Sequence, residues 1–313
     1  MDEVSTDPQV AHARDRRVGL MIFGVAQILI GVICAGLALG AAATGEIATR
    51  RGIPGAGAAV ASGMVMWGLA CVYFVVAGIG SIRARRWAQA LSVSVSAVWL
   101  AGGIVATLMM AIALPRAMRQ YASTDATFAA GVSAMTALIG FILLPLGLFL
   151  FYRSAATRLT CERLDPKRRW TDRVPRPVLA VIVVMAFASV VLIANVGNPV
   201  MPFMGSVISG PPAALTFFGL AVLCAFVAVQ LYRLKENAWW TLVLLQVAGL
   251  VIGLLTLMRS AGAHTGDEGV LDVYREPLFV ALMVATWLAY FAFLLYLRRF
   301  FAIRLLPRTR RDD

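Results

Sequence analysis

Charge is scarce in this chain: 14% of its 313 residues are Asp, Glu, Lys or Arg, against about 25% in soluble globular domains. Histidine is scarcer still, with only His12 and His264, both outside the apolar runs. That placement argues against haem held by axial histidines within a helix bundle. Four cysteines, Cys34, Cys71, Cys161 and Cys224, form no CxxC pair, and three of them lie inside apolar runs. They read as small buried hydrophobes rather than as a disulfide or zinc framework. No Asn-x-Ser/Thr acceptor is present, and HExxH, GxSxG and Walker patterns are all missing. The sequence therefore points to no catalytic, cofactor-binding or metal site.

Apolar residues dominate instead, at 60% of the chain with a mean hydropathy of +0.82. A membrane-spanning helix needs about 20 mainly apolar residues, because each adds about 1.5 Å toward a hydrocarbon core of roughly 30 Å. Eight stretches reach that length: residues 18–43, 57–82, 87–114, 128–152, 178–197, 212–232, 238–258 and 277–297. The first is too long for the h-region of a signal peptide, which runs about 7 to 15 residues, and is read as a span.

Net charge of +12 in a soluble protein would suggest nucleic acid. Here the basic residues sit in short connectors beside apolar runs, so their role is topogenic and no nucleic acid is expected. Counted over alternate connectors, Lys and Arg divide 22 to 6, which places both termini in the cytoplasm by the positive-inside rule. The scarcity of lysine, present only as Lys167 and Lys235, and the richness in alanine are marks of a GC-rich bacterial genome, so the expected location is a bacterial plasma membrane.

The chain also echoes itself. "SIRARRWAQAL" at residues 81–91 has a counterpart in "LYRLKENAWWTL" at 231–242, "WGLA" at 67–70 in "FGLA" at 218–221, and "LFLFYR" at 148–153 in "FLLYLRR" at 293–299. The offsets stay near 150 and shorten to about 145 in the last segment. An even number of spans per copy gives both copies the same orientation, hence a parallel repeat. The expected fold is an all-α polytopic membrane protein with eight transmembrane helices in two parallel four-helix repeats. The first repeat covers residues 18–152 and the second 178–297. They are joined by a basic linker, 153–177, and flanked by cytoplasmic tails at 1–17 and 298–313.

The linker carries eight basic residues and three acidic ones. Lys167, Arg168, Arg169 and Trp170, with Arg83, Arg85 and Arg86 of the first inner turn, are the candidate contacts for anionic lipid headgroups or a partner protein. Among connectors on the other face, residues 195–212 are uncharged and rich in Gly and Pro, so they cannot be helical throughout. They are expected to cap the bundle or re-enter it. The acidic stretch 264–276 lacks the ligand order of an EF-hand and is expected to be a solvated loop.

No acid, base or histidine occupies the interior of a span, although such a group would be a pointer to transport or catalysis. Gln27 and Gln246 are the candidate intramembrane polar contacts, and Gly31 with Ala35, Gly36 with Gly40, and Ser92 with Ser96 have the small-xxx-small spacing of close packing. These features favour a non-enzymatic scaffold or accessory subunit that binds the bilayer and other membrane proteins and needs no cofactor. The alternative is a transporter or carrier of lipids or small hydrophobic molecules, with a path between the repeats.

Overall fold

The computed structural model describes residues 16–50, 56–120, 131–132, 134–167, 169–197, 199–203, 206–262 and 277–302. The long helices are α1 (Arg17–Arg50), α2 (Ala56–Ile82), α3 (Arg86–Gln120), α6 (Arg176–Ala194), α7 (Pro211–Tyr232), α8 (Glu236–Gly262) and α9 (Pro277–Ala302). The remaining crossing, Ala134–Arg153, combines a π-helical segment, Leu138–Leu143, with α4 (Leu144–Arg153). A linker helix, α5 (Ala155–Leu164), lies between α4 and α6. Among the described residues, eight helices are thus long and apolar enough to cross a membrane. Helical form follows from the solvent: within hydrocarbon each backbone N–H and C=O needs an internal partner.

Prolines stand at the starts of several spans, in the first turns of α6 and α7 and at the first residue of α9. There the missing N–H costs no hydrogen bond. Pro145, inside a crossing, acts differently. It has no N–H to give the carbonyl of Phe141, and just before it the ladder shifts register, with Leu144 N–H bonding to the Ile139 carbonyl, five residues back. The freed Phe141 carbonyl faces α3 at Gly103, where a Cβ would stand 2.1 Å from the oxygen.

α3 is the central helix. On one side it packs with α2 and α4, and on the other with α6 and α9. The pairs α1 with α2 and α6 with α7 form close antiparallel hairpins, and α8 connects α7 to α9. Two apolar cores result. Leu20, Phe74, Val93, Leu148 and Tyr152 centre the first. Leu179, Leu231, Trp239, Leu242, Leu294 and Leu297 centre the second, which also takes in Ala90 of α3.

Small residues set the α1–α2 separation, but not all of those expected. Gly24 and Gly78 oppose each other, and Gly31 lies against the Cys71 carbonyl and Val75, whereas a Cβ on Gly36 or Gly40 would meet nothing within 4 Å. On the face opposite the linker, the described residues within 195–212 include a 3-10 turn (Asn195–Gly197) and two paired antiparallel strands, β1 (Val200–Phe203) and β2 (Ser206–Ser209). The strands rest against α8 and α7. Gly210, at φ 73° and ψ −151°, turns the chain into α7 through backbone space open almost only to glycine. The acidic stretch 264–276 lies outside the described residues.

Candidate functional site

The polar chemistry of the described residues gathers at the linker end of the bundle. Two turns frame it. In the first, Ala84 N–H bonds to the Ser81 carbonyl at 2.9 Å and Arg85 N–H to the Gly80 carbonyl at 2.9 Å. In the second, Leu234 N–H bonds to the Leu231 carbonyl at 2.9 Å and Lys235 N–H to the Gln230 carbonyl at 3.1 Å. Both are Schellman endings, which require a left-handed residue just past the helix. Here that residue is alanine or leucine rather than glycine, with φ 49° at Ala84 and 51° at Leu234.

The linker folds onto the first of these turns. Ser154 caps α5 by accepting from the Thr157 N–H, and the Arg16 N–H reaches Thr160 Oγ1 at 3.3 Å, tying the start of α1 to the linker helix. At the end of α5, the Asp165 side chain is 2% exposed. Arg169 donates to both of its carboxylate oxygens, at 3.0 and 3.2 Å. Arg85 approaches to 3.6 Å, and the Arg86 backbone N–H lies 3.4 Å from Oδ2. Burial alone would raise this carboxyl, but the Arg169 and Arg86 hydrogen bonds and the charges of Arg169 and Arg85 outweigh it and hold it below its ordinary value.

The guanidinium of Arg86 sits between Glu162 at 3.6 Å and Asp172 at 3.7 Å, while Arg158 also holds Glu162, at 2.8 Å. All three linker acids are therefore engaged with arginines. Cys161, one turn before Asp165, is buried; burial first, and then the nearby Asp165 and Glu162 charges, push its thiol up to about 12.

Beneath this ionic layer lies an uncharged one. Gln27 Nε2 donates to Ser92 Oγ at 3.0 Å, and Ser81 Oγ donates to Gln27 Oε1 at 3.1 Å. The Tyr152 hydroxyl lies 2.8 Å from Ser81 Oγ and 3.1 Å from Gln27 Oε1, so α1, α2, α3 and α4 meet at one cluster. Gln89 Nε2 donates to the Tyr152 carbonyl at 2.6 Å, and Arg176 donates to Gln89 Oε1 at 3.3 Å. The Arg176 carbonyl in turn accepts from Ser94 Oγ at 3.3 Å.

Neither a protein-family model, nor a curated protein, nor a solved structure matches this chain. Its chemistry is therefore read from the geometry alone. Among the described residues, no group of three His, Cys, Asp or Glu side chains gathers in a metal-binding arrangement.

Of the candidates drawn from sequence, Gln27 is at the centre of the buried polar cluster. Gln246 is half-buried on α8, with no side-chain hydrogen bond to another described residue. Arg85, Arg86 and Arg169 are in ion pairs with linker acids, while Arg83 and Lys167 are exposed. Arg168 lies outside the described residues. Trp170 is 46% exposed, its ring centroid 6.4 Å from that of Tyr232 at the end of α7.

Sequence reasoning missed Asp165, Glu162 and Asp172 as the partners of those arginines, and Ser81, Ser92, Gln89 and Tyr152 as the partners of Gln27. One signal was available, the i,i+4 spacing of Arg158 with Glu162 on α5.

Proposed function

We propose that the protein is a non-enzymatic membrane scaffold or accessory subunit, built from two parallel four-helix repeats with its linker and both termini at the cytoplasmic face of a bacterial plasma membrane. The observation carrying this reading is that one buried polar cluster and the buried linker carboxylate are occupied from within the chain. Gln27, Ser81, Ser92 and Tyr152 satisfy each other across four helices, and Asp165 is held by Arg85, Arg169 and the Arg86 N–H. Groups committed in this way give a rigid, specified core and leave the outer surface for partners.

The matching Schellman turns at Ala84 and Leu234 support the duplication, and so does a second correspondence. Gln89 and Trp239, at the 150-residue offset, each donate from the first turn of a helix to a carbonyl of the crossing that follows: Gln89 to Tyr152 at 2.6 Å, Trp239 Nε1 to Leu294 at 2.7 Å. Between the halves, Ala90 of α3 is buried in the same apolar cluster as Leu179, Leu231, Leu294 and Leu297 of the second core. This shared packing favours a scaffold over a carrier with a path between the repeats.

Crosslinking in the native bilayer followed by purification in mild detergent tests the proposal. Recovery of the chain with a constant membrane-protein partner is expected; a lone monomer at native expression overturns it.

A further inference from the structure

The linker's charges are sorted by sign. Glu162, Asp165 and Asp172 are all taken by arginines of the linker or the first turn. Arg83, Lys167, Arg173, Arg233 and Lys235 are exposed and have no carboxylate partner among the described residues. Two of these cations flank the aromatic contact between Trp170 of the linker and Tyr232 of the second half. Trp170 and Arg173 are the ends of a single 3-10 turn, in which side chains three apart eclipse one another. Trp170 lies against Tyr232, whose neighbour is Arg233.

The helix above Arg233 supplies the decisive feature. Val222, Phe226 and Val229 are all exposed, and with Arg233 they follow the spacing of one face of α7. From Val222 to Arg233 the helix rises about 16 Å, close to half of a roughly 30 Å hydrocarbon core. One leaflet of apolar surface therefore ends on an uncompensated guanidinium. The same face recurs on α2, where Val72, Val76 and Ile79 are exposed above the exposed Arg83.

We propose that the foot of α7 is a seat for an anionic phospholipid: acyl chains lie along Val222, Phe226 and Val229, Arg233 and Arg173 take the phosphate, and Trp170 stands at headgroup level. The foot of α2, with Arg83 alone, is its simpler counterpart. Guanidinium groups suit phosphate because they offer paired donors. The continuous apolar stripe distinguishes a phospholipid from an acidic protein or a free phosphate. This inference rests on the proposed membrane placement but not on the scaffold role, so a partner found by crosslinking would stand even if the lipid seat failed.

The test uses the full chain, delipidated in uncharged detergent and titrated with phosphatidylglycerol or phosphatidylcholine carrying brominated acyl chains. Trp170 fluorescence is isolated by difference from Trp170→Phe. Each basic residue near a membrane surface favours an anionic lipid by about fivefold. With Arg173 and Arg233 both engaged, quenching of Trp170 should therefore half-saturate at a roughly 25-fold lower fraction of phosphatidylglycerol than of phosphatidylcholine. Arg173→Gln with Arg233→Gln should reduce that preference below about threefold, Arg173→Lys with Arg233→Lys should retain most of it, and Arg83→Gln should leave the Trp170 signal unchanged. Equal quenching by the two lipids in the wild-type chain overturns the proposal, as does an undiminished preference in the glutamine variant. Displacement of phosphatidylglycerol by inorganic phosphate at low millimolar concentration assigns the seat to free phosphate and also overturns it.

Discussion

Ala84 and Leu234, 150 positions apart, share a left-handed backbone, φ 49° and 51°, and are the non-glycine residues with positive φ among those described. Left-handed backbone costs an L-residue roughly 1 to 2 kcal/mol, so each turn must be held by its surroundings. Ala84 is buried, and its methyl recovers part of the cost. Ala84→Gly should therefore leave stability unchanged or raise it by about 0.5 kcal/mol. Ala84→Val, β-branched at positive φ, should lower it by about 2 kcal/mol. Unfolding of the reconstituted protein by a denaturing detergent measures both; a valine variant as stable as wild type would show that the turn relaxes.

Close approach of α1 and α2 gives a second expectation. A Cβ on Gly78 would lie 2.6 Å from the Gly24 carbonyl, and one on Gly24 would lie 2.8 Å from the Gly78 carbonyl. Gly78→Val must push the helices apart and should cost about 1 to 3 kcal/mol by overpacking. Gly36→Ala, on the same helix as Gly24 but facing open space, should be neutral or slightly stabilising. The same unfolding measurement separates them, and equal losses at Gly36 and Gly78 would refute the assigned interface.

The linker clamp should be sensitive to acid. Because the carboxyl of folded Asp165 titrates below its ordinary value of 3.8, its contribution to stability is complete above that value and is lost as pH falls through the lowered one. Cys161 provides the readout, since its buried thiol reacts only when α5 lifts away. Asp165→Asn should raise Cys161 alkylation at neutral pH by about tenfold, equivalent to roughly 1.4 kcal/mol of opening; the acid dependence is read instead from unfolding in denaturing detergent, where wild type should lose stability as pH falls below the ordinary carboxyl range and Asp165→Asn should not show that loss. A Cys161→Ser control isolates the signal from the other cysteines. Alkylation insensitive to Asp165→Asn would mean that the ion pairs do not hold the linker.

The spans were legible because membrane insertion is governed by local composition: each candidate crossing is an apolar run of sufficient length, with limits within four residues of those drawn from the sequence except at the fourth, which begins at Ala134 rather than at residue 128. The ion-pair layer was harder to read, because Arg85 and Asp165 are 80 positions apart and meet only after α5 folds back. "RARRWA" looked like three equivalent arginines, yet Arg86 is enclosed by Glu162 and Asp172 while Arg83 stays exposed. The paired strands within 195–212 were missed for a different reason. Pro and Gly ruled out helix correctly, but the short strands carry no polar alternation to announce them. Gln27 and Gln246 looked alike in sequence; what separates them is the presence of Ser81, Ser92 and Tyr152 on three neighbouring helices.

That difference leads to the last expectation. At the 150-residue offset, Ser81, Gln89 and Ser92 correspond to Leu231, Trp239 and Leu242, all buried in the second core. At the 145-residue offset of the last segment, Tyr152 corresponds to the buried Leu297. One proposed repeat thus fills these positions with hydrogen-bonding groups, the other mainly with hydrocarbon. Removing a single member from the polar set strands the rest: Gln27→Leu leaves Ser92 Oγ without its donor and deprives Ser81 and Tyr152 of an acceptor. Interhelical hydrogen bonds of this kind are worth about 0.6 to 2 kcal/mol, and an unmet buried polar group adds about 1 to 3 kcal/mol, so a loss of about 2 to 3 kcal/mol is expected. Replacing the whole set together, with Gln27→Leu, Ser81→Leu, Ser92→Leu and Tyr152→Leu, removes the stranded groups as well as the bonds. It should recover at least half of that loss, because the proposed second repeat carries leucine at the positions corresponding to Ser81, Ser92 and Tyr152. Unfolding of the single and quadruple variants in the same detergent compares the two. A quadruple variant less stable than Gln27→Leu alone would show that the first core depends on its polar groups for shape, and that the correspondence with the second does not extend to packing.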